Sequence, residues 1–119
     1  MKAILFALFV GLLMVGYGST DLDNPEILNK IIAEAIDGLQ KRGKKGEELS
    51  YAPNEQTPYT GWVKSMYDNG QLKALNLFKD GKLNGLTTKW YENGQKMVEE
   101  NYKDGKQDGL LSYWGENGR

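Results

Sequence analysis

The chain has 119 residues, 26% of them charged, a formal net charge of −1, and neither His nor Cys. This bounds it to one domain, excludes imidazole and thiolate chemistry and disulfide stapling, and leaves no basic excess for a nucleic-acid partner. Fifteen Gly with seven Tyr, three Trp and three Phe point to short strands joined by tight turns.

The N-terminus reads as an address. Lys2 precedes an apolar run from Ala3 to Val15, and Gly16-Tyr17-Gly18 offers small residues where a signal peptidase cuts. The run is shorter than the ~20 residues that a membrane span needs. Residues 1–18 are therefore expected to be a signal peptide, with the mature chain starting at Ser19 in the periplasm or outside the cell. The alternative is an uncleaved N-terminus that anchors the protein to the membrane.

Residues 19–48 predict an amphipathic helix and a linker. Asn24 can cap, Pro25 suits the first helical position, and Glu26 favours the positive end of the helix dipole. Ile27, Leu28, Ile31, Ile32, Ala35, Ile36 and Leu39 form one stripe at helical spacing; Lys41, Arg42 and Gly43 suit its last turn and its stop. A helix is expected over 25–41, closing over a sheet face or, in the sharper reading, docking on a partner or a membrane. The charged stretch from Lys44 to Glu48 reads as a linker.

Residues 49–119 are repetitive. Gly61 to Asn84 and Gly85 to Asp108 are copies at a period of 24, identical at nine positions, and Gly109 to Arg119 matches the second copy at six of 11. A fixed period of this size means one supersecondary unit used several times. Asp68-Asn69-Gly70, Glu92-Asn93-Gly94 and Glu116-Asn117-Gly118 form one series of turns; Asp80-Gly81 and Asp104-Gly105 form another. Asn-Gly and Asp-Gly suit the positive φ angles of two-residue hairpin turns. Strands are expected near 61–67, 72–78, 85–91, 96–102 and 109–114, in an antiparallel meander. A further strand at Leu49-Ser50-Tyr51 is expected to pair with 61–67 as a degenerate half-repeat.

Column by column, Trp62, Met66, Trp90 and Trp114 mark the core face, whereas Leu75 and Leu77 become Glu99 and Asn101, so that column can face water. The acidic turns offer too few oxygen ligands along one loop to hold calcium. No acid–base pair converges, since the adjacent Glu99 and Glu100 point to opposite faces of a strand. No catalytic residue, cofactor or metal site is assigned. Tyr67 and Tyr91, with Lys89 and Ser65 on their side, are the candidate partner-binding residues. Leu111 and Tyr113 join them, on a last strand that carries neither Lys nor Pro between Gly109 and Trp114. Such a strand leaves unpaired backbone groups along one edge. It is expected to be covered by the 25–41 helix, by the same edge of a second chain in a homodimer, or by a strand from a partner. The runner-up is a longer array whose next strand is missing.

The pattern Tyr67-x-Asn69-Gly70-Gln71, Phe78-Lys79-Asp80-Gly81-Lys82, Gly85, repeated as Tyr91-x-Asn93-Gly94-Gln95, Tyr102-Lys103-Asp104-Gly105-Lys106, Gly109, resembles the bacterial variant of the MORN repeat. Thr57-Pro58-Tyr59-Thr60-Gly61 is similar to the motif that leads into such arrays. The likeness covers residues 49–119 and departs at Gly115, where the motif has Tyr. Proteins of this kind are grouped with the YwqK-like family, labelled as toxin–antitoxin antitoxins. The resemblance implies a mostly β fold of stacked hairpins and a role in binding. The function expected is an exported, non-catalytic protein-interaction module. The alternatives are a peripheral membrane or cell-wall association module and an antitoxin-like inhibitor of a partner protein.

Overall fold

The computed structural model describes residues 21–117, which form one short helix and seven strands. They fall into two compact units, one reaching Lys30 and the other starting at Ile31. The signal peptide read at 1–18, its cleavage point and Gly118 of the third Asn-Gly turn lie outside the described residues.

Helix α1 (Pro25–Glu34) starts where the sequence places it. The Asn24 Oδ1 accepts from the backbone N–H of Glu26 at 2.9 Å and of Ile27 at 3.4 Å, satisfying donors that the first turn leaves unpaired. The helix ends at Glu34, not at Lys41, because Ile36 is drawn into a bridge beside Val63. Its N–H donates to the Trp62 carbonyl at 3.1 Å, and its carbonyl accepts from Lys64 N–H at 2.8 Å. The apolar stripe continues past the helix because a strand edge, not another helical turn, takes up Ile36.

Lys41 and Arg42 are not helical either. Strand β1 (Gln40–Arg42) pairs with β2 (Leu49–Tyr51) in a separate two-stranded sheet. The strand expected at 49–51 therefore exists, but its partner is β1, not the strand after Gly61. The stretch read as a linker is the closing turn, with Gly43 at φ 121° and Glu47 N–H donating to the Lys44 carbonyl at 2.8 Å. The Arg42 guanidinium stacks 4.6 Å above the Tyr51 ring and donates to the Glu55 carbonyl at 2.6 Å.

The main sheet is a five-stranded antiparallel meander in sequence order: β3 (Gly61–Met66), β4 (Leu72–Lys79), β5 (Lys82–Trp90), β6 (Lys96–Lys103) and β7 (Lys106–Tyr113). The fold is mostly β, as the turn signals predict. The two turn series are built differently. Asp80 and Gly81 have φ of 50° and 85°, and Asp104 and Gly105 repeat those values, as two-residue type I′ turns require. At Asn69-Gly70 and Asn93-Gly94 only the glycine has positive φ. Gly70 N–H donates to the Tyr67 carbonyl at 3.0 Å and Tyr67 N–H to the Gln71 carbonyl at 2.8 Å, so the loop holds three residues. That longer connection accompanies a register shift in the ladder after Ser65 and again after Lys89.

Cross-strand register defines two faces. On one, Lys64, Leu75, Thr88, Glu99 and Ser112 stand in a row. Trp62 and Trp90 lie on the same side by alternation, and both are buried. On the other face, Ser65, Ala74, Lys89, Val98 and Tyr113 form one row and Val63, Asn76, Thr87, Glu100 and Leu111 the next.

The core assignment needs two corrections. Met66 is 42% exposed, at the end of edge strand β3, and Leu75, the column expected to face water, is 0% exposed. Leu75 sits between Lys64 and Thr88, and the Lys64 ammonium donates to the Ile32 carbonyl at 3.0 Å. That bond brings the last turn of α1 to this face at the first repeat. The apolar residue stands in the first repeat, beside that bond, and its equivalent Glu99 is only half-buried.

Candidate functional site

The repeat is held by side chains that reach one copy onward. Tyr67 O–H donates to the Trp90 carbonyl at 2.7 Å, and Tyr91 O–H to the Trp114 carbonyl at 2.8 Å. Asn69 Nδ2 donates to the Glu92 carbonyl at 3.4 Å and Asn93 Nδ2 to the Glu116 carbonyl at 3.1 Å, while each Oδ1 caps its own turn. On the opposite margin of the sheet Asp104 N–H donates to Asn84 Oδ1 at 3.1 Å, and Asp80 N–H to Thr60 Oγ1 at 2.9 Å. Gly105 N–H meets the Leu83 carbonyl at 2.8 Å, and Gly81 N–H meets the Tyr59 carbonyl at 2.9 Å. Tyr59-Thr60 thus does for the first repeat what Leu83-Asn84 does for the second. Gly81 is confined there: a Cβ on it would lie 2.9 Å from the Leu49 Cβ and 3.0 Å from the Pro58 Cβ.

These bonds locate the candidate residues. The hydroxyls of Tyr67 and Tyr91 are spent on the next copy's backbone, and the Lys73 ammonium lies 5.5 Å from the Tyr67 ring centroid. Both tyrosines are half-buried and act as spacers between repeats. Tyr67→Phe and Tyr91→Phe should each lose about 1–2 kcal/mol of stability, a hydroxyl bond plus a stranded carbonyl. Urea unfolding followed by circular dichroism would check this, and no loss in either variant would show that the hydroxyls are free.

Lys89, Leu111 and Tyr113, by contrast, come together. Lys89 and Tyr113 flank Val98 in one row, and Leu111 stands in the row beside it, across from Glu100. Tyr113 is 69% exposed and Leu111 36%, on a face where Ala74, Thr87 and Val98 are buried.

No family model, curated protein or solved structure matches the chain. The arrangement of its own side chains is therefore what bears on function.

Several ionisable groups serve contacts within the fold. Lys96 pairs with Glu99 at 2.9 Å and lies 5.5 Å from the Trp114 ring centroid. Tyr102 O–H donates to Glu100 Oε2 at 3.2 Å, and burial together with the Glu100 charge pushes its pKa up. Burial, then the charge of Glu34, does the same to Tyr59, whose hydroxyl donates to the Trp62 carbonyl at 2.9 Å. Among the described residues no three acidic side chains lie close enough to share a metal ion, and no helix is long and apolar enough to cross a membrane. The Asp-Gly turns stack so that Lys79, Asp80, Lys82, Asn84, Lys103 and Asp104 line an open recess, which the sequence reading did not single out. Its charges are mixed and its walls are turns. The repeat of Lys-Asp-Gly-Lys every 24 residues was the signal that could have found it.

Proposed function

We propose that this chain is a non-catalytic binding module, exported from the cytoplasm, which presents the face of Lys89, Leu111 and Tyr113 to a partner protein. The observation that carries the reading is the exposure of Leu111 and Tyr113 on a strand held in place by a stitched array. An exposed aromatic beside an aliphatic residue and a lysine on a rigid support is the kind of anchor that protein interfaces use. The ionisable side chains named above make contacts within the fold. The likeness of the copies to MORN repeats supports a binding role, and the apolar run at 3–15 supports export.

The test is crosslinking and recovery of the tagged full chain from cell-envelope fractions, beside the double variant Lys89→Glu, Tyr113→Ala. The expected result is a defined protein recovered with the wild type and lost with the variant. Recovery of lipid vesicles in place of a protein would favour a membrane-association role. Equal recovery by both chains would remove this face from the function.

A further inference from the structure

Two Asn-Gly dipeptides sit in matching turns, and only one of them is covered. Asn93-Gly94 joins β5 to β6, and a Cβ placed on Gly94 would stand 3.6 Å from Gln71 Oε1, so a side chain of the turn before rests on it. Asn69-Gly70 joins β3 to β4, the first hairpin of the sheet, and a Cβ on Gly70 would meet nothing within 4 Å. The stitch onward differs in the same sense. Asn93 Nδ2 reaches the Glu116 carbonyl at 3.1 Å, whereas Asn69 Nδ2 stands 3.4 Å from the Glu92 carbonyl, beyond the usual span of a strong N–H···O bond. A third pair, Asn84-Gly85, lies inside β5, with Gly85 opposite Tyr102 and Asn84 Oδ1 taken by the Asp104 N–H.

Asn before Gly is a reactive sequence as well as a turn. The glycine has no side chain to keep its backbone nitrogen away from the Asn side-chain carbon. At residue 69 the carbonyl is also primed, because Oδ1 accepts the Gln71 N–H at 2.8 Å. Negative charge develops on that oxygen when a nucleophile adds to Cγ, and a donor already in place stabilises it. What restrains the step is the Gly70 N–H, held by the Tyr67 carbonyl at 3.0 Å. That bond closes an exposed turn, and such a turn opens at far lower cost than the strands behind it.

We propose that Asn69 is a site of spontaneous deamidation, and that its conversion unlocks the first repeat from the second. The turn opens, and the Gly70 nitrogen gives its proton to hydroxide and bonds to Asn69 Cγ. The Cγ–Nδ2 bond breaks, and Nδ2 leaves as ammonia with a proton drawn from water. Water then adds to either carbonyl of the cyclic imide and breaks one C–N bond. The product is an aspartate at 69 or its isomer, whose main chain runs through the side-chain carbon. One water is taken up, one ammonia is released, and nothing is oxidised or reduced. Either product sets a carboxylate, with no N–H to give, beside the Glu92 carbonyl, so the stitch is lost. It also adds a negative charge next to Asp68. The isomer lengthens a loop whose three residues are fixed by the bond from Tyr67 N–H to the Gln71 carbonyl. This inference does not rest on the partner-binding reading.

The full chain, held folded in mildly alkaline buffer made with heavy-oxygen water, tests it by peptide mass spectrometry. Acid and label should appear at 69 severalfold faster than at 93 or 84, as aspartate and isoaspartate together, at a rate that climbs with pH. In urea the lead of 69 over 93 should vanish; a lead that persists there belongs to local sequence and would overturn the proposal. Gly70→Ala hinders the attacking nitrogen and should slow conversion at 69 but not at 93. Gly70 has φ of 86°, so that variant is strained, and the order of sites in the wild type decides the matter if it fails to fold. Asn69→Asp copies the charge of the product and should unfold at lower urea than the wild type. Equal rates at the three sites in the folded chain, conversion at 93 or 84 ahead of 69, or an Asn69→Asp variant as stable as the wild type would each overturn the proposal.

Discussion

Trp90→Ala should cost about 3–5 kcal/mol of stability, the usual range for removing a large buried aromatic side chain. Trp90 closes β5, the central strand, and is 7% exposed. Two consequences of its removal add together. The indole leaves a cavity on the face where Leu75 and Thr88 are already fully buried. The Trp90 carbonyl also anchors the Tyr67 hydroxyl, so backbone that shifts into the cavity loosens the bond between copies. A domain of this size has about 5–15 kcal/mol in total, so the variant should be marginally folded or unfolded at room temperature. Trp114→Ala, in the same column one copy later, should lose less, because Trp114 is only half-buried and Lys96 covers one side of it. Urea unfolding of both variants gives the order directly. A loss below about 1 kcal/mol for Trp90 is the surface-substitution range and would mean that its ring is not part of the core.

The hairpins were legible because Asp-Gly and Asn-Gly are local signals: each specifies a backbone conformation that few other dipeptides adopt, wherever the turn ends up. The helix start was legible for the same reason, since Asn24 and Pro25 act on their own neighbours. The helix stop was not. Ile36 fits the helical stripe perfectly well and is lost to it only because the backbone of Trp62 and Lys64, far along the chain, offers two hydrogen bonds at a bare edge. Likewise Leu49–Tyr51 was visible as a strand, but its partner was decided by a short loop back to β1. At the candidate site Lys89, Leu111 and Tyr113 share a face because residues pair across strands in a register that periodicity alone reveals. The sequence offers Tyr67 and Tyr91 as aromatic partner-binding candidates on one side of their strands. Their role in joining copies depends on where a hydroxyl lands one period later, which requires the packed structure.

Leu75 shows most sharply why averaging over copies misleads. Leu75→Ala should cost about 2–5 kcal/mol, as truncations of fully buried leucines do. Leu75→Glu, which merely copies the residue that the second repeat carries at this position, should leave no folded protein. Leu75 is 0% exposed, and its neighbour in the row, Thr88, is also fully buried with a hydroxyl that has no hydrogen-bond partner. A carboxylate introduced there would lose its hydration, a cost of several kcal/mol even after relaxation. Lys64, the basic side chain beside it in the row, is committed to the Ile32 carbonyl. Drawing Lys64 away to neutralise the new charge would release the last turn of α1 and uncover the face. The reciprocal change, Glu99→Leu, should be milder and leave the protein folded. It removes a part-buried ion pair with Lys96, whose loss costs about 1–3 kcal/mol, and adds an apolar side chain next to the same Thr88, which offsets part of that cost. Thermal and urea unfolding of the two reciprocal variants separates the explanations. If the copies were equivalent, the two exchanges would have similar effects. A fully buried Leu75 set against a part-exposed Glu99 should instead give a large asymmetry, with Leu75→Glu unfolded and Glu99→Leu still folded.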